Sequence, residues 1–216
     1  MLILRRALFM AAIALLVLGA GVLLPGGHSE VPDASWTIDL DGKIGKINSK
    51  ISEADLIRIY GPKSVIQGTL DVGEGETMPA TIIFASLPQR RLEIAWKDEP
   101  GRKLPARIQI EGNKSLWHTT QGITLGTSLK TLEKLNDKPF LLAGFGWDYS
   151  GTVTSWNQGH LEQSLKSIVL RLAPPERNEV PSKDEEGVEG DGNFSSAEPS
   201  MQKINPVVYQ IIWLFN

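Results

Sequence analysis

Ser52-Glu53-Ala54-Asp55 puts a serine where a helix begins and an acid three residues on, and Leu56, Ile57, Ile59 and Tyr60 follow before Gly61-Pro62 ends the run. A capping serine with a reciprocal acid ahead of spaced apolar residues predicts a short amphipathic helix. Strand-like stretches follow at about 64–72, 77–86, 91–97 and 105–111, separated by Gly73-Glu74-Gly75-Glu76, Leu87-Pro88-Gln89 and Glu99-Pro100-Gly101. Alternation is clearest in Leu92, Ile94 and Trp96 against Glu93 and Lys97, and in Ala106, Ile108 and Ile110 against Arg107, Gln109 and Glu111. The order then begins again. Ile123, Ser128, Leu132 and Leu135 stand 76 residues after Ile47, Ser52, Leu56 and Ile59, and further strands are predicted at about 140–149, 152–158 and 166–172. Helix followed by antiparallel strands, twice, restricts the chain to an α+β fold. The expectation is two related units, 30–120 and a shorter 121–175, each a short helix plus antiparallel β-strands, forming a twisted sheet with the helices packed on one face. Ser35–Leu40 reads as an opening strand with Trp36 and Ile38 on one side, and Asp41-Gly42 as a turn.

The ends of the chain set its surroundings. Met1–Arg6 is basic, and Ala7–Leu24 is an unbroken apolar run of 18 residues ended by Pro25-Gly26-Gly27. Signal-peptide cores are about 7–15 residues and membrane spans about 20, so residues 1–29 read as a signal peptide or an N-terminal membrane anchor. Both readings stand, with Gly27 and Ser29, or Gly19 and Gly21, offering small residues for cleavage. No face of the run is polar, which argues against a core helix. Arg5 and Arg6 favour a cytoplasmic N-terminus either way, so residues 30–216 are expected to be exported to the periplasm or cell envelope, touching membrane only through residues 7–24. The chain contains no Cys, which excludes disulfides, a thiolate nucleophile, Cys-ligated metal and a lipidated cysteine.

The net charge of −3 is uneven: residues 1–29 carry +2, residues 176–198 carry −6, the body between is neutral and Lys203 in the tail adds +1. A neutral body offers no basic face for nucleic acid. Residues 176–200 read as a solvated, disordered acidic loop. Within 201–216, Val207, Tyr209, Ile211, Trp213 and Phe215 alternate as a strand completing the sheet, with a short helix as the alternative.

The most informative segment is Phe145-Gly146-Trp147-Asp148-Tyr149-Ser150-Gly151-Thr152-Val153-Thr154-Ser155-Trp156. Ser150-Gly151 suits a two-residue hairpin turn, which would pair Tyr149 with Thr152, Trp147 with Thr154 and Phe145 with Trp156 on one aromatic face. The opposite face, with Gly144, Gly146, Asp148, Val153 and Ser155, is nearly bare backbone and admits close approach. Trp and Tyr give rigid contact area at small entropic cost, so Phe145, Trp147, Tyr149 and Trp156, with Asp148 beside them, are the candidate binding residues. The alternative is that these rings are core. No catalytic or metal-ligating constellation stands out, and no cofactor is expected. His28, His118 and His160 are isolated, and the chain has no nucleophile elbow, Walker A loop or dinucleotide fingerprint. Asp71-Val72-Gly73-Glu74-Gly75-Glu76 lacks the calcium-loop spacing and reads as a hairpin turn. Asp148 in an aromatic setting would serve a hydrolase only with a second carboxylate nearby, for which Glu162 and Glu93 are the candidates.

Ile123-Thr124-Leu125-Gly126-Thr127-Ser128-Leu129-Lys130-Thr131-Leu132-Glu133-Lys134-Leu135 resembles the hydrophobic-x-x-Gly-x-Ser/Thr entry to a helix in the tandem-repeat β-lactamase-inhibitory proteins and the small outer-membrane-assembly lipoproteins. In Ile47–Ile59 Lys50 replaces the glycine. The resemblance implies a sheet face that grips a partner, as the inhibitor family's concave aromatic face does. The missing cysteines depart from both families, which carry disulfides or an acylated cysteine. Gly144–Val153 also resembles a segment of uncharacterised exported bacterial proteins, which bears on localisation alone. The reading is a non-catalytic envelope protein that binds an envelope protein or glycan through a sheet face, in no assigned oligomeric state. An envelope hydrolase using Asp148 and an anchored structural or accessory subunit are the alternatives.

Overall fold

The computed structural model describes residues 36–39, 43–175 and 183–215. The expected leader, 1–29, and the Asp41-Gly42 turn lie outside them. The fold is α+β with mostly antiparallel sheets. In chain order come β1 (Thr37–Asp39), β2 (Lys43–Ile44), α1 (Glu53–Tyr60), β3 (Val65–Gly73), β4 (Glu76–Ile83), β5 (Leu92–Asp98), β6 (Lys103–Glu111) and β7 (His118–Thr119). After these stand α2 (Leu129–Asn136), β8 (Leu141–Ala143), β9 (Val153–Ser155), α3 (Leu161–Ser164), β10 (Ile168–Ala173), α4 (Lys183–Glu186), β11 (Asn193–Ser195), α5 (Pro199–Ile204) and β12 (Val207–Leu214).

Both helices predicted from capping serines form where expected. Ser52 Oγ accepts from the Asp55 N–H at 3.2 Å while Asp55 Oδ2 accepts from the Ser52 N–H at 2.9 Å. Ser128 Oγ likewise accepts from Thr131 N–H at 3.2 Å. Each satisfies donors that a helix start leaves unpaired. The hydroxyl and backbone bonds from Ser52 hold the Asp55 carboxyl below its ordinary value, with Arg58 adding to the effect. A depressed folded-state pKa means stability that is present above the unfolded aspartate value, and it is lost as pH falls through the folded one. Asp55→Asn is therefore expected to lower the thermal midpoint at neutral pH, the deficit shrinking in acid; a deficit independent of pH would contradict this.

The main sheet runs β10-β12-β6-β5-β4-β3, antiparallel throughout. Paired residues share a face, so the register separates two surfaces. One carries the rows Val65–Ile83–Leu92 and Thr81–Ile94–Ile108–Trp213–Ile168, and with Ile110–Ile211–Leu170 it belongs to the main core. Leu56 of α1 and Leu129 and Leu132 of α2 join that same core. Two short sheets, β2-β1-β7 and β11-β8-β9, complete the described residues.

Three expectations differ from the structure. The C-terminal strand does form, but as β12 it lies inside the sheet between β10 and β6, and residues 199–204 before it are the helix α5. A central strand must suit both faces, and Gln210 and Ile212 are buried alongside Ile211 and Trp213. The acidic stretch is ordered over 183–200: β11 pairs with β8, and Val188, Ser196 and Met201 are fully buried. Residues 176–182 of that expectation lie outside the described residues. The strand predicted over 140–149 stops at Ala143, which removes the 145–156 hairpin register.

Candidate functional site

The sheet face opposite the core carries the row Ile66–Ile82–Glu93–Gln109–Ile212–Val169 across six strands. Beside it run Gly68–Ala80–Ala95–Arg107–Leu214 and Glu111–Gln210–Arg171. Part of this surface, around Ala80, Ala95 and Gln109, is buried without a helix, while Ile66 and Leu214 at its margins stay exposed. Strands lie about 4.8 Å apart, so β3 and β10 would be roughly 24 Å apart in a flat sheet. Yet Glu74 at the β3–β4 turn comes within 3.5 Å of Tyr149, whose loop adjoins β10. The β3–β4 hairpin therefore curls over the face, propped by a small second cluster of Leu70, Ala80 and Ala95 with Val72 and Met78. The alanines are what leave room for it.

The result is a polar groove lined by Asp71, Gly73, Glu74, Gly75, Glu111, Asp148, Arg171, Tyr209 and Gln210. Glu111, Gln210 and Arg171 on its floor belong to one hydrogen-bonded chain that continues along β6 to Gln109 and Arg107, outside the lining. Arg107 Nη2 donates to Gln109 Oε1 at 2.5 Å, Gln109 Nε2 to Glu111 Oε2 at 2.9 Å, Gln210 Nε2 to the same oxygen at 2.8 Å, and Arg171 Nη1 to Gln210 Oε1 at 3.3 Å. Arg171 also stacks on Tyr209, 5.8 Å from the ring centre. Burial and the neighbouring Arg171 hold Arg107 below the ordinary arginine value, offset in part by Glu111, Asp71 and Glu93. Alternation alone marked Arg107, Gln109 and Glu111 as one polar face; their partners from β10 and β12 were not readable from spacing.

The second wall is the loop 144–151. The N–H of Gly144 donates to Gly192 O at 2.9 Å, that of Phe145 to Val188 O at 2.9 Å, and that of Leu172 on β10 to Gly151 O at 2.9 Å. Arg171 Nη2 donates to the Asp148 carbonyl. The loop is thus fixed at both ends and in the middle. Phe145 and Trp156 are core, 6% and 8% exposed, with Trp156 against Phe140 at a 5.0 Å ring distance. Trp147 and Tyr149 are 64% and 62% exposed. The predicted aromatic face is therefore split: two rings anchor the loop and two are presented. The cause is Gly144, whose bare Cα accepts close approach as expected, but from the chain's own backbone, with Gly190 O only 2.4 Å from where a Cβ would stand.

Asp148 is exposed. Its groove neighbours are Asp71, Glu74 and Glu111, not Glu93 or Glu162; Glu93 pairs with Arg91 at 2.5 Å, and Glu162 is exposed on α3. Asp148 thus stands in the open between the exposed Trp147 and Tyr149. His118 Nδ1 lies 2.8 Å from Leu116 O, and His160 precedes α3 without a side-chain cap. Among the described residues no three His, Asp or Glu side chains gather closely enough to hold a metal.

No protein-family model, curated protein or solved structure matches this chain. The groove and its loop carry the functional argument unaided.

Proposed function

We propose that this is an exported, non-catalytic envelope protein that grips a protein partner through the polar sheet face, with Trp147 and Tyr149 as its anchors. The observation that carries the reading is their joint exposure on a loop held by Phe145, Gly151 and Arg171. Large exposed rings on a rigid support give contact area without an ordering cost on binding. The export half rests on the basic start and apolar run of the leader.

The duplicated plan belongs to the same proposal, with the helices on the core side of the sheet. Ser52 bridges Lys103 at the start of β6, and Ser128 bridges Val207 at the start of β12. Those two strands are antiparallel neighbours at the middle of the sheet, as two copies related by rotation would be. The likeness to the tandem-repeat inhibitors stands or falls with this correspondence.

Site-specific photo-cross-linking tests the surface in cells. A cross-linker at position 149 is expected to give a discrete adduct to one envelope protein, and the same probe at Arg58 on α1 none. Equal adducts at both positions would remove the loop from the interface.

A further inference from the structure

Residues 84–91, between β4 and β5, wind through successive turns in which the N–H of Leu87 donates to Phe84 O at 2.9 Å and that of Arg90 to Leu87 O at 2.8 Å. Residues 112–117, between β6 and β7, are bonded to them. Leu116 N–H donates to Gln89 O at 2.8 Å, and Trp117 Nε1 donates to Arg90 O at 3.0 Å. On these turns Leu87 and Leu116 are 46% and 37% exposed. One exposed leucine on a surface is ordinary; two on turns bonded to each other form a presented apolar tip.

Charge marks the same place. Segments 84–91 and 112–118 hold Arg90, Arg91 and Lys114 and no acid, in a body that is neutral as a whole. The nearest acids along the chain are engaged elsewhere: Glu93 pairs with Arg91, and Glu111 accepts from Gln109 and Gln210. Arg90 and Lys114 are exposed. Arg90 lies over Trp36, 5.3 Å from the ring centre, and Trp36 meets Trp117 edge-on at 4.9 Å. Leucine tips and cations beside a tryptophan suit the boundary of a lipid leaflet, where apolar tips enter and basic groups meet phosphate.

The order of the chain supplies the surface. The apolar run ends at Leu24 and the described fold begins at Trp36, so the eleven residues 25–35 lie between. Fully extended they reach about 40 Å. In the reading that keeps residues 7–24 as an anchor, Trp36 and the turns packed on it are tethered within that distance of lipid. A weak interfacial contact gains from such a tether, because its docking is then intramolecular. We propose that the face formed by Leu87, Arg90, Lys114 and Leu116 rests on an anionic membrane surface. It shares no residue with the 144–151 loop and stands apart from the role of that loop.

The chain has no cysteine, so Leu87→Cys, Leu116→Cys and Glu99→Cys each give the full chain a single attachment point for an environment-sensitive fluorophore. Glu99 is exposed beyond the far end of β5, about 25 Å along the strand from Arg91. The labelled chains are reconstituted in vesicles of phosphatidylcholine and phosphatidylglycerol in equal parts, with brominated acyl chains as quenchers. Probes at 87 and 116 are expected to shift to the blue and be quenched, and the probe at 99 to do neither. Phosphatidylcholine alone, or about 1 M salt, should weaken the quenching. Lys114→Glu changes the charge by two and should lower the ratio of docked to undocked chains about thirtyfold, each basic charge near an anionic surface being worth about fivefold. Unquenched probes at 87 and 116, quenching equal at all three positions, or quenching indifferent to phosphatidylglycerol overturns the proposal. So does a cross-linker at position 87 that captures a protein in cells while the vesicle probe stays unquenched, since the face would then belong to a protein.

Discussion

Asn136→Leu is expected to destabilise the protein by about 3–5 kcal/mol, through polar groups rather than volume. Asn136 is fully buried at the end of α2. Its Nδ2 donates to Lys138 O at 3.0 Å and to Trp156 O at 2.9 Å, and its Oδ1 accepts from Leu161 N–H at 3.1 Å. One side chain thus stitches α2, the segment after β9 and the start of α3. Leucine fills the same space and leaves three backbone groups without partners, each costing about 1–3 kcal/mol when buried. Asn136→Asp separates the contributions, since it keeps the acceptor for Leu161 and loses both donations. Urea unfolding with an unchanged m value reads the loss, and a cost below about 1 kcal/mol for the leucine variant would contradict the account.

Gly151→Val is expected to detach the 144–151 loop from β10 at a cost of about 3 kcal/mol or more, while the core stays folded. Gly151 has φ of +66°, and a Cβ there would stand 1.8 Å from Leu172 O. Backbone cannot yield as a flexible side chain can, so the loop must leave. Amide exchange at Leu172 is the direct readout, because its N–H donates to Gly151 O. Faster exchange at Leu172 with unchanged exchange at Ile94 is the expected pattern; an unchanged Leu172 would mean that the loop is not held as described.

Much of this fold is legible in the sequence because its strongest signals are local. The caps at Ser52 and Ser128, the alternation in β5 and β6 and the turn at Gly73-Glu74-Gly75 act within a few residues of themselves. The misreadings are all long-range. The acidic run conceals Val188 and Phe194, too few apolar residues to outweigh eight acids by composition, yet with Met201 just beyond it enough to seat the segment beside β8 and α2. Ser150-Gly151 does mark a turn, but Gly144 accepts the backbone of 188–192 and takes Phe145 out of the predicted hairpin. The site follows the same rule. Trp147 and Tyr149 were legible as candidates by residue type, whereas the floor needs Gln210 to meet Glu111 across 99 residues. No spacing within either strand encodes that meeting.

The central claim is that Trp147 and Tyr149 serve binding and Phe145 and Trp156 serve the fold. Affinity capture of the partner identified by cross-linking at position 149, using the full chain and its Trp147→Ala/Tyr149→Ala variant, tests it most directly. Exposed aromatic anchors are each worth about 2 kcal/mol or more to an interface and almost nothing to stability. The account predicts loss of capture by about a hundredfold or more with an unchanged thermal midpoint. Full capture by the double variant, or its unfolding, would contradict it.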